Sequence, residues 1–301
     1  MMADWTFVKG RTAAGGAVWR SEDGQYYKRT GDVLGEAGFQ AQVFDLGYPV
    51  PQIVEFGSEG DEGFFIERSL GAWSLHDQAL ADAEASGAVS MATVADIARV
   101  ARRLLSTQAC SRVESVEWFD TAAFAENVYA ENADFDSPRV RKIVRHALGR
   151  LAELPMTRGH LDFGLPNMFP AGVIDWQFHG VVPLGYDVYP ALEIVAFKGG
   201  NKGYAFSVEQ RRQYLAVLDD VTAGTTDRRL SGLLGEFLLG KCFFFLALMR
   251  PTDPTRRDKW VKWQYRRHLF QTGLTSYEAT GTIDTGSFPS YSEFAKRYQD
   301  R

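Results

Sequence analysis

Hydrophobic positions in the first seventy or so residues follow a short-strand pattern. Aromatic and β-branched residues are concentrated at 17–20, 25–29 and 63–67, which predicts three strands with a hairpin turn between the first two. Residues 33–46 instead have apolar side chains at helical spacing, and Gly47 with two nearby prolines ends that pattern. The predicted order is β-β-α-β, which is a small mixed lobe.

From about Gly71 onward the hydrophobic spacing becomes helical. Val94, Ile97 and Ala101 belong to the clearest apolar stripe. The segments predicted to be helical are 93–108, 119–132, 140–153, 208–219 and 229–250. The small-residue run 79–90 is predicted to be a surface connection. The second part of the chain is therefore predicted to be a larger, mainly helical lobe.

A stretch rich in Gly, Pro and aromatic residues, 158–190, interrupts these helices. Long irregular segments inside a compact domain usually have a function. Short apolar runs on either side of a Pro-Ala-Gly turn predict a hairpin that returns Asp175 beside Asn167, with Asp162 in the preceding loop. The sequence thus places one amide and two carboxylates near one point.

Those three side chains suit phosphoryl transfer. Mg²⁺ takes oxygen ligands, few of them from the protein, so Asn167 and Asp175 are candidate metal ligands. Asp162 is a candidate base for a hydroxyl nucleophile, as in the catalytic loop of kinases. The alternative is that these residues cap turns in a surface loop. That alternative explains any one of the three residues more readily than it explains all three together.

Composition and charge exclude several classes of protein. The 301 residues are 45% hydrophobic and 24% charged, which is typical of a globular protein and excludes a disordered, collagen-like or coiled-coil chain. A net charge of −5 gives no general attraction for nucleic acid or anionic lipid, so we predict neither a nucleic-acid partner nor a membrane partner. The longest apolar stretch, 237–249, is interrupted by Gly240 and Lys241 and is too short to span a bilayer.

The two cysteines indicate a reducing compartment. Cys110 and Cys242 lie far apart and form no CxxC pair, which predicts buried free thiols rather than a disulfide or zinc framework. The N-terminal ten residues contain no apolar segment of the signal-peptide type. We therefore predict a cytoplasmic protein.

Residues 160–187 resemble the aminoglycoside phosphotransferase and choline kinase superfamily, which is related to the eukaryotic protein kinases. Three motifs carry the resemblance: His160-Leu161-Asp162 with Asn167 five residues on, Val173-Ile174-Asp175-Trp176, and Gly185-Tyr186-Asp187. The resemblance implies an α+β, protein-kinase-like fold of two lobes. The small β-rich lobe would span 1–70, and the larger, mainly helical lobe would span 71–301.

The resemblance also implies roles for these residues. Asp162 would be the catalytic base, and His160 would brace the catalytic loop. Asn167 and Asp175 would hold Mg²⁺. Asp187 would be a structural anchor of the loop.

In the first lobe the resemblance assigns the nucleotide site. Lys28 would bind the phosphates and pair with Glu36, which follows it on the predicted helix. Main-chain groups from Glu67 to Ser69 would bind adenine, and Ile174 would line its face. Taken alone, Lys28 is better explained as an edge-strand lysine and Glu36 as a first-turn acid that interacts with the helix dipole, and it is the residues of the second lobe that favour the functional interpretation. The segment 11–16 lacks a GxGxxG motif, which leaves the choice between ATP and GTP open.

The last third of the chain is expected to form the acceptor pocket. Residues 250–267 contain seven basic and two acidic side chains, interleaved with Trp260, Trp263 and Tyr265. If this segment faces the cleft, an anionic or neutral acceptor with a ring fits better than a polycation. The favoured interpretation is plainer, namely a solvated helix face with the two tryptophans packed inward.

The predicted activity is an ATP- and Mg²⁺-dependent transfer of the γ-phosphoryl group to a hydroxyl of a small molecule. An antibiotic, an amino sugar, a nucleoside or a similar metabolite would be the acceptor, with antibiotic resistance as one biological role. Two alternatives are a non-catalytic nucleotide-binding module of the same fold, and a kinase that acts on a protein or a glycated amine. The sequence predicts no oligomeric state.

Overall fold

The small lobe of the computed structural model is an antiparallel sheet with one helix against it. The structure describes residues 4–11, 15–114, 118, 121–198 and 202–299. In these residues the first sheet has five strands in the order β1-β2-β3-β5-β4. The strands are β1 (Trp5–Gly10), β2 (Ala17–Ser21), β3 (Tyr26–Gly31), β4 (Ile53–Glu59) and β5 (Glu62–Arg68), and helix α1 (Leu34–Asp45) connects β3 to β4.

The three predicted strands and the predicted helix of this lobe are confirmed, but β1 and β4 were not predicted. Both are edge strands of the sheet, and nearly all their side chains are at least partly exposed. A strand without a buried face has no need of alternating apolar residues, so the alternation that identifies a half-buried strand is weak there. Helix α1 ends as predicted at Gly47, which takes a φ of 83°.

The larger lobe is mainly helical. Its helices are α2 (Leu75–Ser86), α3 (Met91–Cys110), α4 (Thr121–Glu131), α5 (Pro138–Ala152), α6 (Leu192–Val195), α7 (Val208–Thr226), α8 (Leu234–Leu248), α9 (Arg257–Thr280) and α10 (Tyr291–Gln299). Four short strands lie between α5 and α6: β6 (Met156–Gly159), β7 (Met168–Phe169), β8 (Gly172–Val173) and β9 (Gly180–Pro183). The predicted irregular stretch therefore contains two small hairpin-like pairs, β6 with β9 and β7 with β8.

The prediction of a surface connection at 79–90 is wrong. Most of that run belongs to α2, which begins with a capping box between Ser74 and Asp77 and ends at Gly87. Leu75 and Ala79 of this helix are fully buried. Alanine differs little in hydrophobicity from the residues around it, so this run shows no helical periodicity and is predicted to be a linker. Alanine is nevertheless the best helix former.

The most apolar helix lies inside the protein. Leu230–Leu248 is long and apolar enough to cross a membrane, but 72% of its best window is buried among the described residues, as in the core helix of a globular protein. Cys242 of this helix is buried, whereas Cys110 at the end of α3 is exposed. The prediction of buried thiols is therefore wrong for Cys110.

The main hydrophobic core extends into the small lobe. Val33, Ala37 and Phe65 form a separate small cluster between α1 and the sheet. Tyr48 and Val50, which follow α1, belong instead to the core of the helical lobe. The turn after α1 is thus packed as part of the larger lobe, close to the irregular stretch.

Candidate active site

Asp187 fixes the main chain of the predicted catalytic loop. Its buried carboxylate accepts hydrogen bonds from the main-chain N–H groups of His160 (3.0 Å) and Leu161 (2.9 Å) and from the side-chain amide of Gln108 (2.8 Å). A carboxylate with several donors is a strong anchor because charge-assisted hydrogen bonds are stronger than neutral ones. This contact agrees with the anchoring role expected for Asp187.

His160 is buried behind the loop. Its Nε2 lies 2.8 Å from the carbonyl oxygen of Ile174, and its ring meets Trp176 edge to face at a centroid distance of 4.7 Å. The imidazole therefore links the loop to the strand that precedes Asp175. Its position fits bracing of the loop, and its burial keeps it from direct contact with a substrate.

Lys241 is a site residue that the sequence analysis missed. Its buried ammonium group donates to the carbonyl oxygen of Leu161 at 2.7 Å. Leu161 has a φ of 65°, a left-handed conformation that costs a non-glycine residue about 1–3 kcal/mol. Lys241 interrupted the apolar stretch of α8 in the sequence, and a lone lysine in a buried helix was the signal for a buried polar contact.

The predicted hairpin brings Asn167 to Asp162. Met168 pairs with Val173, and the main-chain N–H of Ile174 donates to the carbonyl oxygen of Asn167 at 2.9 Å. The side-chain amide of Asn167 donates to the main-chain oxygen of Asp162 at 3.1 Å, with a longer contact of 3.4 Å to its carboxylate. Asp162 itself is exposed, as a carboxylate that accepts a proton from a bound substrate would have to be.

Asp175 has the properties of a ligand for a cation. It has a φ of 69°, and its Oδ1 atom is buried without a hydrogen-bond partner among the residues that the structure describes. Guanidinium groups of Arg29 and Arg11 lie 3.6 and 3.8 Å from this oxygen, close enough to attract it but too far to donate to it. Buried unsatisfied polar atoms at strained positions point to a binding site for a polar group.

Two oxygen ligands fit the way in which proteins hold Mg²⁺. Among the described residues, no group of three or more His, Cys, Asp or Glu side chains is placed to hold a metal ion. Mg²⁺ is commonly held by one or two carboxylates, with water and substrate phosphates completing its shell. The unsatisfied oxygen of Asp175 and the side-chain oxygen of Asn167 match that donor set.

The predicted pairing of Lys28 with Glu36 is wrong. Side chains alternate between the two faces of β3, and Lys28 points away from α1. Its ammonium group bonds both carboxylate oxygens of Glu59, at 2.8 and 2.9 Å, and lies over the ring of Phe64. The next residue, Arg29, faces the helix and is buried.

Arg29 and Arg11 occupy the position expected for the lysine. Arg29 donates to Glu67 at 2.7 Å, and Arg11 donates to Glu36 at 2.5 Å. Burial alone would lower the pKa of Arg29, but the carboxylates of Glu67, Asp175 and Glu36 raise it above its usual value. Burial raises the pKa of Glu36, against the opposing effect of the two arginines. The result is a buried cluster of alternating charges that ends at Asp175.

The structure places the predicted hinge residues differently from the expectation. The side chain of Glu67 is buried and accepts hydrogen bonds from Arg29 and Gln40. The main-chain N–H of Ser69 donates to Gln25, at 2.8 Å, so it is already paired within the small lobe. Ile174 is partly buried behind the hairpin. Of the proposed adenine contacts, the Ser69 amide is therefore not free to bind a nucleotide.

The basic segment 250–267 is mostly a solvated helix face. Arg250 donates to the main-chain oxygen of Glu131, and Arg267 bonds Asn132 and Asp134. Trp263 is buried, as expected, and its indole N–H donates to Leu246 at 2.9 Å. The favoured interpretation of this segment is supported for Trp263 but is wrong for Trp260, which is only partly buried. Arg266 is a further exception that is considered below.

Comparison with known proteins rests on structure. No protein-family model and no curated protein matches the sequence. The crystal structure of an aminoglycoside-3'-phosphotransferase of type VIII matches with a TM-score of 0.51 and 18% identity, over 81% of this chain and 94% of that one. The chain has the protein-kinase-like fold.

Two further solved structures agree with this assignment of the kinase-like fold. The streptomycin–ATP complex of APH(2")-IIa has a TM-score of 0.56 and 14% identity, over 90% of this chain and 92% of that one. An ethanolamine kinase from Plasmodium vivax has a TM-score of 0.55 and 11% identity, over 90% of this chain and 84% of that one. The predicted α+β fold of two lobes is therefore confirmed.

Proposed function

We propose that this chain is an ATP- and Mg²⁺-dependent phosphotransferase of the cytoplasm that phosphorylates a hydroxyl group of a small molecule. The observation that supports the proposal most directly is the constrained loop 160–167. Asp187 and Lys241 bind its main chain, the side chain of His160 ties it to the carbonyl oxygen of Ile174, and the one carboxylate it exposes is that of Asp162. Catalysis of phosphoryl transfer depends mainly on such positioning.

In this proposal Asp162 orients the acceptor hydroxyl and takes its proton. The acceptor oxygen forms a bond to the γ-phosphorus, the bond from that phosphorus to the β–γ bridging oxygen breaks, and ADP leaves with the electron pair. Asn167 and Asp175 hold Mg²⁺, which neutralises phosphate charge when it is bound. Arg29 and Arg11 take the phosphate-binding role expected for Lys28, because their guanidinium groups lie within 4 Å of Asp175 whereas the ammonium group of Lys28 lies against Glu59.

The first experiment is phosphorus NMR of the protein with Mg·ATP and pooled acceptors. The pools contain aminoglycosides, macrolides, peptide antibiotics, nucleosides, amino sugars and choline-like alcohols. We expect a new phosphoester resonance that is absent with Asp162→Asn. The matched control is Asp220→Asn, since Asp220 is an exposed acid on α7 and far from the loop in sequence. If Asp162→Asn formed the phosphoester as fast as the wild type does, Asp162 would not be the catalytic base.

One observation favours a second candidate, a non-catalytic nucleotide-binding module. Two guanidinium groups lie within 4 Å of the oxygen of Asp175 that would bind Mg²⁺, and they compete with a cation for it. A module of this kind would bind ADP equally well with Mg²⁺ and with EDTA. Calorimetric titration of ADP under both conditions separates the two candidates, since the proposed kinase requires tighter binding with Mg²⁺.

A further inference from the structure

Arg266 on α9 is a cation without a partner. Its guanidinium lies 5.0 Å from the centre of the Phe245 ring. In the part of the chain that the structure describes, it makes no hydrogen bond and no ion pair. Its neighbour Arg267 is bonded to Asn132 and Asp134. Arg266 is therefore unlike the paired arginines of the same basic segment.

A second cation makes the position of Arg266 less favourable. The ammonium group of Lys241 lies 5.1 Å from the centre of the same Phe245 ring. Lys241 is buried and is committed to the carbonyl oxygen of Leu161. Two like charges against one aromatic ring repel each other, and cation–π attraction of about 1–2 kcal/mol compensates only in part. An anion at this place would relieve the repulsion.

The carboxylates near Arg266 do not supply that anion. Burial lowers the pKa of Arg266, and Asp162 is the carboxylate that opposes this effect most. Asp162 nevertheless forms no ion pair with it. Glu193 accepts from the main-chain N–H of Leu165 at 2.9 Å and pairs with Lys202 at 3.2 Å. Partly buried charges without a partner are costly, and binding sites are where proteins retain them.

We propose that the acceptor carries an oxyanion, a carboxylate or a phosphate, that binds Arg266 while its hydroxyl group lies at Asp162. The inference rests on the proposed function and specifies its substrate class. The planar guanidinium matches both oxyanions with two parallel hydrogen bonds, and its contact with Phe245 leaves its N–H groups without a partner among the described residues. Arg266 comes from the helical lobe, whereas Arg29 and Arg11 come from the small lobe, so the acceptor anion and the nucleotide use separate cations.

The same arrangement disfavours a polycationic acceptor. Arg266, Lys241 and Lys202 all lie near the loop that carries Asp162, and the one acid among them, Glu193, is already paired. An ammonium group of an aminoglycoside would meet these cations without a free carboxylate other than that of Asp162. Aminoglycoside acceptors are therefore expected to be poor substrates of this chain.

The test compares matched pairs of hydroxylated compounds with and without the anion. The pairs are glycerate and glyceramide, 4-hydroxybutyrate and its amide, and glycerol 3-phosphate and glycerol. Binding is measured from the thermal midpoint, and transfer from phosphorus NMR with Mg·ATP. For at least one pair we expect the anionic member to raise the midpoint and to have a kcat/KM at least tenfold above its neutral partner.

Variants assign the effect to Arg266. Arg266→Gln is expected to lose at least tenfold in kcat/KM, mainly through KM, and Arg266→Lys to recover part of the loss. Arg267→Gln removes the same charge from the adjacent position and is expected to stay within twofold of the wild type. Because Arg266 forms no hydrogen bond or ion pair with any residue that the structure describes, Arg266→Gln should also keep or raise the thermal midpoint without ligand.

The outcomes separate this inference from the proposed function. Transfer to a neutral or cationic acceptor that Arg266→Gln leaves unchanged would overturn the inference and keep the proposed function. Anion binding that depends on Arg266 and persists in Asp162→Asn, without any transfer, would keep the anion site and overturn the proposed function. If no anionic member stabilises the wild type more than it stabilises Arg266→Gln, the anion site is rejected.

Discussion

Lys28 and Arg29 are adjacent on β3, and which of them faces α1 determines which cation is expected to bind the nucleotide. Lys28 matched the family pattern by residue type, but alternation along the strand gives the inward position to Arg29. The sequence could not distinguish them, because the register of a strand depends on which side chains are buried against its neighbours. Arg29 and Lys28 therefore provide a matched pair for mutation.

We predict that Arg29 and not Lys28 determines nucleotide affinity. Arg29→Lys should weaken Mg·ATP binding at least tenfold, because an ammonium group cannot keep the contact to Glu67 and also reach toward Asp175. Lys28→Arg should change the affinity less than twofold. Calorimetric titration of both variants checks the prediction, and the opposite ranking would restore Lys28 as the phosphate ligand.

A second prediction at this scale concerns the two thiols. Burial raises the pKa of Cys242 to about 12, whereas Cys110 is exposed. Because the thiolate is the reactive form, a disulfide reagent at pH 8 should modify one thiol per native chain and two in denaturant. Cys110→Ser should abolish the native reaction, and modification of native Cys242 at a similar rate would contradict its burial.

At the scale of elements, the hairpin of β7 and β8 decides the geometry of the site. Turn residues and flanking apolar pairs were sufficient to predict this hairpin and the approach of Asn167 to the loop. The sequence did not show which part of the protein the hairpin packs against. Gly172 lies so close to the turn after α1 that a Cβ there would be 2.3 Å from the carbonyl oxygen of Pro49.

We predict that Gly172→Ala destabilises the protein and weakens nucleotide binding together. The added methyl group meets main-chain atoms that cannot move aside singly, so the hairpin must shift with Asn167 and Asp175. A loss of about 1–3 kcal/mol in the free energy of unfolding is expected, as for overpacking of a core. Denaturant titration and ADP binding check both effects.

The control for this variant is Gly149→Ala on α5. A Cβ at Gly149 has no neighbour within 4 Å, so the substitution should stabilise the helix by about 0.5–1 kcal/mol and leave ADP binding unchanged. If Gly172→Ala behaved in the same way as Gly149→Ala, the close approach to Pro49 would not constrain the site.

The two strands that sequence analysis missed have a common physical cause. The edge strands β1 and β4 have little buried surface. Hydrophobic periodicity identifies an element that buries one of its faces. It therefore identifies α3, whose buried residues form a regular apolar stripe, but not a strand whose side chains are all at least partly exposed. Tertiary contacts, not local pattern, define those elements.

At the scale of the whole molecule, nucleotide and metal should stabilise both lobes as a unit. Arg11 and Arg29 belong to the small lobe, and Asp175 with its hairpin belongs to the large one. Mg·ADP at about a hundred times its dissociation constant should add about 2.7 kcal/mol to the free energy of unfolding and raise the thermal midpoint by roughly 4 °C.

The metal-dependent part of this stabilisation is tested by removing either the metal ion or its proposed ligand, the carboxylate of Asp175. EDTA in the wild type, or Asp175→Asn with Mg²⁺ present, should reduce the shift in the thermal midpoint by at least half. Asp220→Asn is the control and should retain the full shift. An undiminished shift with EDTA would show that nucleotide binding does not use Asp175 as a metal ligand.

The turn after α1 also determines how the lobes can move. The main-chain N–H of Val173 donates to Pro49 at 2.7 Å, and the hydroxyl of Thr107 donates to Gly47 at 3.3 Å. The small lobe is therefore attached to the large lobe here as well as through the chain that follows β5. Arg11 also donates to Gln177 at 3.3 Å, and the ring of Phe39 on α1 stacks on His179 at a centroid distance of 3.9 Å. We therefore expect α1 and its turn to move with the large lobe as one body whenever the sheet changes its position.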